Sequence, residues 1–487
     1  MGIKLEWEKL LAEGRVRESS TQKYAKMNID DPFYDHRNEF DKDYDRIVYS
    51  SSVRRLQDKA QVFPLQENDF TRTRLTHSIE ASALARSFGY AVGEWLLETR
   101  EFKDFSQIRK LSAMLQVAAL IHDLGNPPFG HYGESIIREW FSKLFNTEEF
   151  KSINMSCDGE KELSNEEKKD FILFEGNAQT LRIVSKLQML NDEYGVNFTF
   201  GTLATIMKYP WNSQNELADS KKKFGYFLSE KELAKKIFEA TGIQEGIKHP
   251  ATYLLEASDD IAYLNADIED GVKKGIIPWE KEYNLIKTKL MEADKETYEY
   301  IFKTLDSIKE KSQEKGIPND DLIAVQNFKI FSQGLMFKSV VKCFKDNYTE
   351  IMCGEFSGDL LEKTNCKLLV EELKRLAGKY CFSNKEVIAL ELVGDNVING
   401  LLDKFVIPLI KCKAEPKSKT YEGKIYSLFS NNFIYICLHD TGYEGHQKDF
   451  AETSIYERLL LVTDYISGMT DSYAVNLYKQ LIGVRLP

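Results

Sequence analysis

A chain of 487 residues, 43% hydrophobic and 29% charged, can bury a large core and divide into more than one lobe. Its net charge of −11 has the wrong sign for coating nucleic acid nonspecifically, so an anionic ligand needs a local basic pocket. No apolar run reaches the about 18 residues of a membrane span, and the first residues lack a signal-peptide core or a myristoylation pattern. Seven scattered cysteines without CxxC spacing indicate neither a disulfide framework nor a zinc–thiolate site. A cytoplasmic protein with no membrane contact is expected.

Residues 1–30 read as a short helix and a polar connector, and 30–49 as an acidic, aromatic stretch without a clean period. Helical text begins at Ser50, with Val53, Leu56 and Ala60 on one side. A polar loop over 67–73 leads into a long predicted helix from about Leu75 to Thr99, with His77 near its start. The apolar spacing of Leu111, Met114, Leu115, Ala118 and Ile121 predicts the next helix. It should end near Gly125, since glycine suits a left-handed cap and Pro127-Pro128 cannot continue the ladder. That places His122 and Asp123 in the last turn of a buried helix, and a buried Asp calls for a cation beside it.

Another helix is predicted over 135–145, followed by a polar, exposed insertion at 146–169. Helices follow after Phe174-Glu175-Gly176-Asn177 and from Ala251 to Gly271, with a polar loop at 212–223 between them. The Lys/Glu-rich stretch 278–316 reads as a solvated amphipathic helix pair. The remainder is mostly helical, interrupted at 411–424 and by NNFIYICLHDTGYEG, whose β-branched and aromatic residues predict a strand meeting a turn. Its His439-Asp440 pair is read as structural. The expected fold is all-α with one small β-hairpin, divided as 1–50, 51–275 and 276–487.

Chemistry concentrates in a few places. Asp259, Tyr263 and Asp267 follow one another at i, i+4 and i+8, which keeps them on one slowly drifting stripe of a helix. With His77, His122 and Asp123 they supply an H…HD…D series. Two imidazoles and two carboxylates suit Mn, Fe, Co or Ni, and can also hold Mg. Such a centre leaves positions for water and phosphate oxygens in metal-assisted hydrolysis. Arg54, Arg55, Arg72 and Arg74 are candidates for the local basic pocket. No GxxxxGK[ST] occurs, which excludes a Walker-type NTPase.

The words Arg54-Arg55-Leu56-Gln57, Thr73-Arg74-Leu75-Thr76-His77-Ser78, His122 to His131, Phe174 to Asn177, Asp259 to Tyr263 and Asp464 to Asp471 resemble the deoxyguanosine triphosphate triphosphohydrolases (dGTPases) of the HD-domain phosphohydrolases. The resemblance implies His77, His122, Asp123 and Asp259 as ligands of a divalent ion, Mn²⁺ or Mg²⁺ first. The family register, with a tyrosine four residues and an aspartate eight residues further on, selects Asp259 over Asp260. It implies removal of a whole triphosphate from a dNTP, dGTP preferred, with His131 as proton donor to the 5′-oxygen and Glu134 orienting it. Arg74 is expected on the α-phosphate, Tyr263 against the deoxyribose, Asp267 on the 3′-OH and Gln57 on the base edge. Asn177, Lys208 and Tyr209 are expected near the phosphates, and Arg458 is a weaker phosphate candidate. A homo-oligomer, often a hexamer in the family, and regulation by single-stranded DNA or by nucleotides at allosteric sites are further implications. The alternatives are a broader dNTP specificity, or a nucleotide or DNA sensor with little turnover.

Overall fold

The computed structural model describes residues 4–17, 35–63, 71–157, 161–190, 192–318, 320–412, 416–417, 419–439 and 448–484. Its regular structure is helical: the described residues form 23 α-helices and no strand, with isolated bridges only. None of these helices is long and apolar enough to cross a membrane.

The centre is a tightly packed helix pair. Thr73 opens the helix Arg74–Glu98 through a capping box with Thr76, and Ala81, Ala85, Phe88, Val92 and Leu96 form its buried stripe. The helix Phe105–Ile121, capped by Asp104, lies so close that a Cβ on Gly89 would stand 2.5 Å from the Cα of Ser112. Small residues on one helix thus set how near the other comes. Pro250–Lys273, with proline in its first turn and His249 capping it, packs on Arg74–Glu98 and on Asp320–Asp346.

Residues 4–17 contribute to this core. Trp7 is buried, donates to the Tyr348 hydroxyl at 2.9 Å and meets Phe102 edge-on at 5.5 Å. Arg15 pairs with buried Asp43 at 2.5 Å. Asp43 in turn accepts the Thr199 and Thr202 hydroxyls, tying the helix Glu39–Val48 to Phe200–Ile206. The helix Glu39–Val48 has its own capping box, Asn38 with Asp41, in a stretch whose pattern showed no period.

Three expectations change. The strand-like run before His439 is the helix Asn431–His439. Its buried Phe433, Ile436 and Cys437 lie at i, i+3 and i+4, and packing on the helix Ile455–Ser467 overrides local β-propensity. His439 donates from Nδ1 to the Tyr435 carbonyl at 2.7 Å, whereas Asp440 lies outside the described residues. The 146–169 stretch is not simply a surface loop. It contains the helix Glu148–Met155 and the start of Asn165–Ile172, and buries Phe150 and Leu163. Finally, the helix before His122 ends at Ile121, and Gly125 is no left-handed cap. Glycine is required there by space: a Cβ would fall 2.1 Å from the Gly176 carbonyl oxygen. The amphipathic pair at 278–316 is Trp279–Ala293 and Lys295–Glu314.

Gly89→Ala tests the helix pair. A backbone clash of this kind belongs at the upper end of the overpacking range, about 3 kcal/mol, against about 1 kcal/mol gained in helix propensity. Urea denaturation should show a net loss of about 2 kcal/mol.

Candidate metal centre

His122 occupies the C-cap of Phe105–Ile121 and donates from Nδ1 to the Ala119 carbonyl at 2.7 Å. This fixes the tautomer and leaves Nε2 with a free lone pair. That Nε2 is buried without a hydrogen-bond partner, 3.2 Å from Asp259 Oδ1 and 3.5 Å from Asp123 Oδ1. His77, one turn into Arg74–Glu98 and fully buried, brings its Nε2 to 3.0 Å from the same Asp259 oxygen. One ligand atom each from His77, His122 and Asp123 fit within 4.8 Å of one another. Bonds of about 2.1 Å at right angles put neighbouring ligand atoms about 3 Å apart, so the donor set and its spacing fit a divalent cation.

Two basic side chains balance the carboxylates. Arg74, the first residue of its helix, donates to Asp123 Oδ2 at 2.5 Å. Lys208 donates to Asp259 Oδ2 at 2.9 Å. Burial alone would raise the Asp123 carboxyl, but the charges of His122 and Arg74 hold it well below the usual range. Against the same burial, Lys208 and His122 hold Asp259 down. The next residue behaves oppositely: burial and the Asp259 charge push Asp260 up to about 7.

The turn after Asp123 is held from several sides. Asn126 donates to Asp123 Oδ1 at 2.6 Å. Lys59 is buried, and its ammonium reaches the carbonyls of Asn126 at 2.5 Å and Ser467 at 2.8 Å. Phe129 sits at φ 62°, a left-handed conformation that costs a bulky residue about 1–3 kcal/mol. Its amide donates to Asp471 Oδ1 at 3.0 Å, while Asp471 Oδ2 accepts from Ala60 N at 2.9 Å. Directly after this strained residue the helix Gly130–Leu144 begins and presents His131, three-quarters exposed. Glu134 Oε2 lies 3.1 Å from His131 Nδ1. Glu134 is buried and also accepts from Arg138 and from the Gly176 amide. Burial opposes its ionisation, yet the His131 hydrogen bond and the Lys223 and Arg138 charges bring it to about 2.

Comparison with known proteins agrees with this geometry. Residues 74–187 match the model of the HD domain, and 441–480 match the phosphohydrolase-associated domain. A deoxyguanosinetriphosphate triphosphohydrolase-like protein of Listeria monocytogenes is 39% identical over 490 residues, covering 99% of this chain and 100% of the relative. A deoxyguanosinetriphosphate triphosphohydrolase of Yersinia pestis is 30% identical over 502 residues, covering 94% of this chain and 96% of the relative. The chain belongs to the dGTPase-like family of HD-domain phosphohydrolases.

The remaining expected residues of this HD-domain phosphohydrolase are placed unevenly. Tyr263 and Asp267 continue the helix beyond Asp259, half-buried and buried. Burial and the nearby Asp270 charge raise the Asp267 carboxyl well above its ordinary value. Asn177 bonds to Glu175 by backbone and side chain. Burial pushes the neighbouring Tyr209 hydroxyl up to about 12. Gln57 is exposed on the turn Leu56–Asp58 and makes no side-chain hydrogen bond among the described residues.

Of the candidate arginines, only Arg74 contacts the carboxylates of the cluster among the described residues. Arg72 is committed to Glu80, Glu269 and Asp270. Arg54 bonds to the Tyr49 carbonyl and Arg55 to that of Gly468. The buried Arg458 guanidinium donates to the carbonyls of Leu409, Cys412 and Phe450, so its donors are committed to the backbone of neighbouring segments.

Sequence reasoning passed over Lys59, Lys223 and the roles of two quoted aspartates. Lys223 bonds to Glu175 at 2.5 Å and lies 3.7 Å from Glu134. Asp464 receives Arg182 and Gln179, and Asp471 holds the turn. The word carrying both aspartates was a signal. Lys59 had none, because its acceptors are backbone carbonyls remote in sequence.

Replacing His122 with Ala should weaken Mn²⁺ binding more than about 100-fold in equilibrium dialysis while leaving the helical circular dichroism intact. Glu134 makes a separate pH prediction. Its folded pKa lies below the ordinary 4.5, so its contribution to stability is complete above that value and is lost as pH falls toward about 2. Between pH 5 and 2 the Glu134→Gln variant should therefore lose less stability than the parent in thermal melts.

Proposed function

We propose that this protein is a metal-dependent deoxynucleoside triphosphate triphosphohydrolase, with dGTP the preferred substrate. The observation that carries the reading is the orphaned Nε2 of His122 among His77, Asp123 and Asp259, in the same turn region as an exposed histidine backed by a buried glutamate. A cation held by these four residues, Mn²⁺ or Mg²⁺ with Co²⁺, Fe²⁺ or Ni²⁺ as alternatives, supplies Lewis acidity and a more acidic water.

The chain's own residues do the rest. Water adds to the α-phosphorus in line with the bond to the 5′-oxygen, and that bond breaks to release tripolyphosphate. The 5′-alkoxide is strongly basic, so His131 gives it a proton while Glu134 holds the opposite ring nitrogen. Arg74, Lys208, Asn177 and Tyr209 serve the phosphates, with a planar guanidinium suited to two oxygens at once. Tyr263 packs on the deoxyribose, Asp267 accepts from the 3′-OH and Gln57 meets the base edge. In this reading 51–275 is the catalytic core, preceded by the 1–50 segment, and 276–487 completes it. Assembly into a homo-oligomer such as a hexamer, regulation by single-stranded DNA and a cytoplasmic location come with the family resemblance alone.

The test is product analysis. Each dNTP is incubated with protein and Mn²⁺ and followed by ³¹P NMR; tripolyphosphate and nucleoside should appear, fastest with dGTP. Orthophosphate or pyrophosphate would move the scissile bond and sink the reading. His131→Ala should lower kcat at least about 100-fold with Mn²⁺ content unchanged. Metal lost with the imidazole would make His131 a ligand instead.

A further inference from the structure

The word Asp464 to Asp471 lies in the phosphohydrolase-associated segment, which supplies none of the four residues of the metal cluster. Its last residue, Asp471, opens the helix Asp471–Leu481. An aspartate in that place ordinarily serves its own helix, as a cap or as a charge on the dipole. Here Thr470 is the cap and accepts from the Tyr473 amide. The Asp471 carboxylate is buried and turns to two remote segments. One oxygen takes the Phe129 amide at 3.0 Å and the other the Ala60 amide at 2.9 Å.

Both amides lead to the site. Ala60 pairs with Thr73 in an isolated bridge, and the Lys59 carbonyl accepts from the Arg74 amide at 2.9 Å. This end of the carboxylate is therefore referenced to the start of the helix that carries His77. At the other end, Phe129 has φ 62° and Gly130 φ 59°, two left-handed residues in succession, and His131 follows at once in Gly130–Leu144. A Cβ at Gly130 would stand 2.5 Å from Arg74 Nη2, and Nη1 of the same guanidinium holds Asp123. The Phe129 ring lies against Gly394, where a Cβ would come within 2.7 Å of it. The Asp471 bond acts on the Phe129 backbone directly, where a bulky side chain favours leaving the left-handed region.

We propose that Asp471 is a positioning residue for His131. By holding the Phe129 amide it keeps the turn left-handed, which sets the direction in which Gly130–Leu144 starts and where the imidazole stands relative to the helix of His77. A carboxylate suits the task because it accepts at both oxygens, whereas a carboxamide would face one of the two amides with its own N–H groups. Rotation at the residue directly before a helix swings the helix start, and a misplacement of about 1 Å costs a catalytic step about 100-fold. The consequence for turnover rests on the proposed hydrolysis; the placement of the turn does not.

The test is Asp471→Asn in the full chain, loaded with Mn²⁺ and checked for folding by circular dichroism and thermal melting. Hydrogen exchange over 126–134 should run about tenfold faster than in the parent, with 81–96 and 105–121 unchanged and Mn²⁺ affinity intact. Equal loosening of all three regions, or of none, overturns the positioning. Turnover of dGTP should fall at least about tenfold in kcat with KM unchanged. Phe129→Gly supplies the control, since glycine enters the left-handed region freely. In that background Asp471→Asn should cost less than about threefold in kcat; the full loss in both backgrounds overturns the role given to the Phe129 conformation. If Asp471→Asn does not fold, Asp471→Glu, which keeps the charge and both acceptors but moves them a methylene further out, takes its place in both readouts with the same expectations. A parent that releases no tripolyphosphate refutes the hydrolysis, and the exchange result then decides the positioning alone.

Discussion

The carboxylate of Asp259 is the point on which the structure turns. It sits in the middle of a long buried helix and shares one oxygen between His77 and His122, while the other takes Lys208. A charge in such a place is tolerated only with partners on every side. Those partners come from the start of one helix, the end of a second and a loop after a third. The close approach of Arg74–Glu98 to Phe105–Ile121, set by glycine on one side and serine on the other, is what brings the two imidazoles to ring centroids 5.5 Å apart.

The turn between Asp123 and His131 is the least relaxed part of the chain and the most heavily braced. Phe129 occupies a left-handed conformation, and a non-glycine residue there persists when surrounding bonds over-determine it. Asp471 and Lys59 provide those bonds, one through a carboxylate accepting amides and the other through an ammonium bridging carbonyls. Thus the phosphohydrolase-associated segment takes part in shaping the site without contributing to its metal cluster. Burial draws the Lys59 ammonium down to about 7, against the opposing charge of Asp471.

The basic residues show how far pattern reading reaches. Arg72 and Arg74 are two positions apart, yet one joins an acidic triad on the far side of the helix start and the other meets Asp123. Side chains two apart at a helix N-terminus point in different directions, and only the neighbouring helices decide what each meets. Arg458 likewise reads as a charge for a ligand but closes the ends of other segments. The run before His439 reads as a strand by residue type, while its buried positions keep helical spacing.

By itself the sequence determined the helical class, the existence of a long helix from about 75 to 99, of one leading into His122 and of one from about 251 to 271, and the H…HD…D words, because periodicity and caps act within a turn or two of chain. It also named His77, His122, Asp123 and Asp259, which are tens of residues apart and converge within contact distance. What only the tertiary structure decided was the pairing of charges and the bracing of the 122–131 turn by Lys59 and Asp471. Those depend on backbone carbonyls and amides brought together from remote segments, and such groups leave no periodic trace in the order of side chains.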